Sequence, residues 1–198
     1  VRPSVYVRLP DVTRELGEHA RPIRDFLYSP GDTSVSIRLL GDLNDRATLD
    51  ILLRALEAME TTPFRLSFVH TGTSDGLLSE WLLQAMHAGA LSNMSHNELY
   101  HALESKHVAA SLENLRQTYH IPTTKYSWSQ ISLAFSQALQ LKHAGPIILL
   151  NGQSLDHIQG VSQFDIESVV AWEDEVHVQA LLNALDVPCL LYTSPSPL

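Results

Sequence analysis

Gly145-Pro146-Ile147-Ile148-Leu149-Leu150-Asn151-Gly152-Gln153 decides how this chain is read. Gly145-Pro146 stops whatever helix precedes it, because proline has no amide proton and glycine leaves the helical basin easily. Ile147 to Leu150 is a short apolar run suited to a core strand. Asn151-Gly152 is the strongest hairpin signal in the chain, since a type I′ turn needs positive φ at both centres. Gln153 to Ile158 is then the returning strand. Immediately upstream, Ser127-Trp128-Ser129-Gln130 has the form of a capping box, with Tyr126 and Ile131 as its staple. Ile131, Phe135, Ala138 and Leu139 give the long helix that follows its buried face. Downstream, Ser162 caps a last helical region, expected to break near Asp174 and to end near Leu185.

Further upstream the period changes twice. Ser34-Val35-Ser36-Ile37-Arg38-Leu39-Leu40-Gly41 is an apolar, β-rich run ending at glycine. Asp42, Asn44 and Asp45 supply helix-starting side chains. Leu49, Leu52, Leu53, Leu56 and Met59 recur at helical spacing, and Pro63 ends the pattern. Phe64 to Val69 alternates as a strand. Residues 34–70 therefore read strand, helix, strand, with the strands parallel through a right-handed crossover. From about 74 to 121 the pattern is helical throughout. Ser95-His96-Asn97-Glu98 is a capping box with Met94 and Leu99 as staple, and Val108, Leu112, Leu115 and Tyr119 mark another helix. Val5 to Leu9 fits a short strand, and Pro22 and Pro30 interrupt two short helical pieces.

Composition narrows the function. The chain has 198 residues, 44% of them hydrophobic and 18% charged, enough for one sizeable core. Its formal net charge is −9, and its few Lys and Arg are scattered. Nucleic acid and anionic membrane surfaces are therefore not expected as partners. No apolar run reaches the roughly 20 residues of a membrane span. The single cysteine, Cys189, excludes an internal disulfide, a CxxC redox pair and a cysteine zinc site. The opening Val1-Arg2-Pro3-Ser4 has neither Met nor a signal-peptide pattern and is read as the start of an excised fragment. Residues 1–33 are treated as an N-terminal extension, 34–187 as the domain, and 188–198, with two prolines near the end, as a linker or tail.

The order βαβ, helical block, long helix, ββ hairpin and terminal helix resembles the thioredoxin arrangement. The fold class expected is α/β, a thioredoxin-like βαβ…ββα fold with a helical insertion about 74–121 similar to that of DsbA-type relatives. Pro146 to Gln153 resembles the thioredoxin stretch in which a cis-proline precedes a strand, so Pro146 is expected to be cis. The redox motif of that family belongs at the start of the first helix. Here Gly41-Asp42-Leu43-Asn44-Asp45-Arg46 occupies that place, without a thiol. A closer resemblance covers about 34–185, to thioredoxin-like domains of the folding sensor in UDP-glucose:glycoprotein glucosyltransferases, the third such domain fitting best. It rests on Ser34 to Asn44, on Phe68-Val69-His70-Thr71-Gly72-Thr73-Ser74, on Ile147 to Leu155, and on Phe164-Asp165-Ile166-Glu167 through Trp172-Glu173. One stretch departs: where that family has Arg after Asn-Gly, then Gly-Pro further on, this chain has Gln153 and Asp156-His157.

The resemblance implies a non-catalytic substrate-recognition module in the endoplasmic reticulum lumen. Its partners would be misfolded glycoproteins and other domains of the same chain. The fragment would hold no cofactor, UDP-glucose and a divalent cation belonging to a catalytic domain elsewhere in the parent. Two other readings stay open: a structural spacer of the same sensor, and a DsbA-like or glutathione-transferase-like domain acting on thiols.

Asp42, Asn44 and Asp45 fit helix capping far better than a sugar-nucleotide metal motif, since no second acidic cluster or phosphate-cradling loop accompanies them. His96, His101 and His107 lack the i, i+4 spacing of a helical zinc site, so no metal ligand is assigned. No G-x-S-x-G elbow is present, although sequence alone leaves a Ser-His-Asp triad open. Asn93-Met94-Ser95 is a glycosylation sequon in a loop just before a helix. Trp81, Leu82, Met86, Leu91 and Met94 are the client-binding candidates, because a folding sensor needs accessible apolar surface. Ordinary packing of the insertion is the competing reading for each of them.

Overall fold

The computed structural model describes residues 26–31, 33–72, 76–123, 133, 145–154 and 163–184. Strand β1 is Ser36–Gly41, helix α1 Arg46–Ala58 and strand β2 Arg65–His70. Helices α2 (Leu77–His87), α3 (His96–Glu104) and α4 (Val108–Thr118) follow, with a short 3₁₀ turn, Ala90–Ser92, between α2 and α3. Strands β3 (Ile147–Leu150) and β4 (Gln153–Ser154) lead to helix α5, Gln163–Ala184. The expected strand at Val5–Leu9, the capping box at Ser127, the rest of the returning strand, the cap at Ser162 and Cys189 lie outside the described residues.

The sheet order is β2-β1-β3-β4. β1 runs parallel to β2, with Ile37 opposite Leu66 and Leu39 opposite Phe68, as the helical connection between them requires. Along its other edge β1 pairs antiparallel with β3, Ile37 facing Leu150 and Leu39 facing Ile148. Strand alternation then sorts the side chains. Ile37, Leu39, Leu66, Phe68, Ile148 and Leu150 join the main core, and Leu40, Val69 and Leu149 are buried on the opposite face. Burial on both faces explains why β1 and β3 read as nearly continuous apolar runs.

Helix α1 packs on β1 and against α3 and α5. Its buried residues Ile51, Leu52, Ala55, Leu56 and Ala58 widen the predicted stripe, with Leu49 and Met59 partly buried at its margins. The Ser95–Glu98 capping box forms as predicted: Ser95 Oγ accepts from Glu98 N at 3.1 Å, and Ser95 N donates to Glu98 Oε2 at 3.0 Å. Residues 26–28, read from sequence as part of an extension, attach to the outer edge of β2 instead. Leu27 N donates to Leu66 O, Leu66 N donates to Tyr28 O, and Leu27 is buried in the core.

Two expectations are corrected. Helix α5 runs unbroken through Asp174. The acidic run Glu173-Asp174-Glu175 is tolerated in the helix because two of its side chains find separate partners. Asp174 Oδ1 accepts from Ser34 Oγ at 2.8 Å, and Glu173 Oε1 accepts from Asn151 Nδ2 at 3.1 Å. The second concerns Pro146. No peptide bond among the described residues is cis, so the Gly145–Pro146 bond is trans. Trans is the lower-energy isomer even before proline, by about 0.5–1 kcal/mol, unless tight packing selects the other.

The Asn151-Gly152 turn has φ 47° and 85°, both positive as the hairpin requires. Asn151 also clamps the sheet. Its Oδ1 accepts from Ser36 N at 2.8 Å and from Ser36 Oγ at 3.0 Å, while its Nδ2 reaches Glu173. Replacing Asn151 by Ala removes these bonds and puts a Cβ-bearing residue without side-chain support at positive φ. The expected loss is about 2–4 kcal/mol by urea unfolding. Asn151→Gly, which removes only the bonds, should recover about 1 kcal/mol of that loss.

Candidate functional site

The place after β1, where the thioredoxin arrangement carries its redox pair, is a capped and packed turn. Asp45 N donates to Asp42 O at 2.9 Å, and Asn44 N to Asp42 Oδ1 at 2.9 Å, an Asx turn. Asp45 is the N-cap of α1, its carboxylate accepting from Thr48 N at 3.3 Å and Thr48 Oγ1 at 3.2 Å. The capping role read from sequence is therefore correct. Leu43 turns inward and is buried.

Beneath this turn the structure joins two residues that the sequence did not pair. His70 ends β2 and Ser79 lies in the first turns of α2; their Nδ1 and Oγ are 3.0 Å apart. Ser79 Oγ also accepts from Leu43 N at 3.4 Å. Both side chains are buried, Ser79 at 0% exposure, so the hydroxyl has no route to a substrate. The pair ties the end of β2 and the first turn of α2 to the β1–α1 turn. The nine-residue separation of His70 and Ser79 across a loop gives no periodic signal, so sequence reading had no means to find it. Gly72 completes the closure: a Cβ there would fall inside the Asp42 carboxylate.

The client-binding candidates are in the core. Trp81, Leu82, Met86, Leu91 and Met94 are all at most 5% exposed. This corrects the assignment: none of the five offers surface to a partner. The physical reason is visible at Trp81, whose indole Nε1 donates to Leu112 O at 3.1 Å, anchoring α2 to α4 with its polar atom satisfied. Met94 and Leu99, the staple pair of α3, are both buried. Polar links hold the outside of the insertion, Arg116 donating to Gln84 Oε1 at 3.1 Å and Gln84 Nε2 to Glu80 Oε1 at 3.0 Å.

Exposed apolar surface lies elsewhere. Leu77 is 85% exposed at the start of α2, and Trp172 and Val176 are 61% and 42% exposed, four residues apart on α5. Ile166, Val170 and Glu173 form the inward stripe of the same helix. Trp172 and Val176 therefore make a second, outward stripe, beside the exposed Asp174 and Glu175. A helix with more apolar residues than one buried face can hold was the available signal in sequence.

Asn93 is exposed at the end of the 3₁₀ turn. Among the described residues no group of three or more His, Cys, Asp or Glu is placed to hold a metal ion. No helix among them is long and apolar enough to cross a membrane. Two of the electrostatic perturbations among the described residues bear on the fold's local structure. On β1, burial pulls the Arg38 guanidinium below its ordinary value, and Arg38 Nε donates to Ser67 Oγ at 2.9 Å. At α3, hydrogen bonds from the Ser95 backbone and hydroxyl, and from Tyr119 Oη, hold the Glu98 carboxyl below its usual 4.5. The same bond to Glu98, the largest cause, raises the Tyr119 phenol.

A family model described as a thioredoxin-like domain matches residues 11–187. Among solved structures, the Trx3 domain of UGGT in its detergent-unbound form is similar at 16% identity and TM-score 0.46, covering 80% of this chain and 99% of that one. The detergent-bound form of that domain is similar at 16% identity and TM-score 0.41, covering 77% and 100%. No curated protein matches the chain.

Gly72→Ala should lower stability well beyond Gly31→Ala, since nothing lies within 4 Å of a Cβ at Gly31. Urea unfolding is expected to show about 1–3 kcal/mol lost in the first variant and little change or a slight gain in the second. The Glu98 carboxyl generates a pH dependence of defined sign. Its folded value is depressed, so its contribution is present above 4.5 and is lost as pH falls below 4.5 through the folded value. Glu98→Gln keeps an acceptor in the capping box and does not titrate. It should flatten the acid limb of stability against pH relative to wild type, the difference shrinking at high salt because the group is exposed.

Proposed function

The chain belongs to the thioredoxin-like domain family, and from that membership we propose that it is a non-catalytic substrate-recognition module of UDP-glucose:glycoprotein glucosyltransferase. One observation carries the non-catalytic part. The turn from Gly41 to Arg46 holds no cysteine, and capping carboxylates and the buried Leu43 fill the place a thiol pair would need. Residues 34–44, 68–74 and 147–155 support assignment to this parent by their resemblance to its sensor domains, the third in particular. On this reading glucose transfer belongs to another domain of the parent, and the compartment is the endoplasmic reticulum lumen.

The surface for misfolded glycoproteins is reassigned from the insertion to α5. Trp172 and Val176 present an exposed apolar stripe with carboxylates beside it, suited to apolar segments that carry basic residues. Burial of the five insertion residues favours a second reading, a spacer whose insertion only stiffens the domain.

Binding of the chain to a chemically unfolded glycoprotein, compared with the same glycoprotein in its native form, separates the two. Selective binding is expected, and Trp172→Ala or Val176→Ser should weaken it about tenfold, or ~1.4 kcal/mol, without moving the unfolding midpoint. Trp81→Ala should instead cost about 3–5 kcal/mol of stability. No binding to either form and no native-state binding of an apolar dye would establish the spacer. Reduction of insulin by the chain would overturn both readings.

A further inference from the structure

Asn93-Met94-Ser95 is the only Asn-X-Ser/Thr triplet in the chain. In the folded domain its three residues have unlike surroundings. The Asn93 side chain faces solvent at the end of the 3₁₀ turn. Met94, next to it, is 3% exposed and belongs to the main core. Ser95 is the N-cap of α3, its Oγ accepting from Glu98 N at 3.1 Å and donating to Glu98 Oε2 at 2.9 Å. Glu98 is itself held by Tyr119 Oη at 2.9 Å, and Ser95 O accepts from Tyr28 Oη at 3.3 Å.

The sequon demands a hydroxyl two residues after the asparagine, so the modifying enzyme must reach that hydroxyl together with the amide. Folding restricts this access: Ser95 stays exposed, but its hydroxyl is committed to the capping box and the buried Met94 fixes the backbone between the two reading points. Folding does not close the outcome, because a sugar on the Asn93 amide extends into solvent and displaces no packed atom. We propose that Asn93 is an N-glycan acceptor used only before this loop folds, the glycan persisting afterwards on the finished domain. The step is transfer of an oligosaccharide from a lipid pyrophosphate donor to the Asn93 amide nitrogen. A C–N bond forms, the sugar–phosphate bond breaks, and the lipid pyrophosphate leaves with the amide proton passing to base. The proposal rests on the luminal part of the reading above.

The test is translation of the full chain behind an added signal peptide, with microsomes, alongside a copy carrying a control sequon after Leu198. A mobility shift removed by endoglycosidase and by Asn93→Gln is expected. Purified folded chain offered afterwards to the same transferase and donor should remain unmodified, whereas the same chain in urea compatible with transferase activity should accept the glycan. Ser95→Thr keeps a hydroxyl and a cap and should be modified during translation as well as wild type. Glu98→Ala, which releases the Ser95 hydroxyl proton while the hydroxyl's bond from the backbone amide of residue 98 stays, should raise modification of the folded chain several-fold. A modified control sequon with a bare Asn93 would overturn the acceptor site. Equal modification of folded and nascent chain would overturn the ordering. Neither result touches the assignment as a recognition module, which the unfolded-glycoprotein binding measurement decides separately.

Discussion

Strand β1 has both edges occupied, by β2 in parallel and by β3 in the opposite sense, and the rest of the domain is arranged around that fact. The first pairing is local, closed by α1. The second joins residues more than a hundred positions apart, as the Ser36–Asn151 bonds show with their separation of 115. Everything between must be accommodated in one long loop before β3 can dock. Such closure is slow, since the entropy of bringing distant segments together is lost before the contacts form. The insertion meets this constraint with structure of its own: capping at Ser95, a staple, and Trp81 bridging α2 to α4.

That internal structure changes how the insertion is understood. Its Trp and Met residues are not held in reserve at the surface; they pack its helices together and onto the sheet. Flexible Met side chains fill irregular gaps in a core as readily as they serve a varied binding face, and composition does not separate the two uses. Burial does. Among the described residues the large apolar side chains left exposed are Leu77 at the start of α2 and the pair Trp172 and Val176 on α5, which lie off the inward stripe of Ile166, Val170 and Glu173.

Local features were legible in the sequence because each depends on a few neighbouring residues. The Asn151-Gly152 turn, the Ser95 capping box and the Asp45 N-cap follow from backbone dihedrals and orphan amides that a short stretch of sequence controls. The parallel β1–β2 pair followed from the intervening helix. What sequence could not carry were relations between distant residues. The His70–Ser79 strut, the clamp of Asn151 on Ser36 and Glu173, and the docking of residues 26–28 on β2 leave no periodic trace. Pro146 shows the opposite error. A family-like stretch does not fix a proline isomer, which is set by the packing around the bond rather than by the residues that flank it.

The unbroken helix α5 has a mechanical consequence. Its 22 residues make a rod about 33 Å long. Glu173 and Asp174, near its midpoint, are bonded to Asn151 and Ser34, which sit at the edge of the central strand. A rod held at its middle beside the central strand has its fulcrum there. Trp172 and Val176 sit on either side of that fulcrum, where displacement under load is smallest. A load on them acts through a short arm, so it is borne by the bonds to Asn151 and Ser34 and passed to the sheet with little turning of the rod.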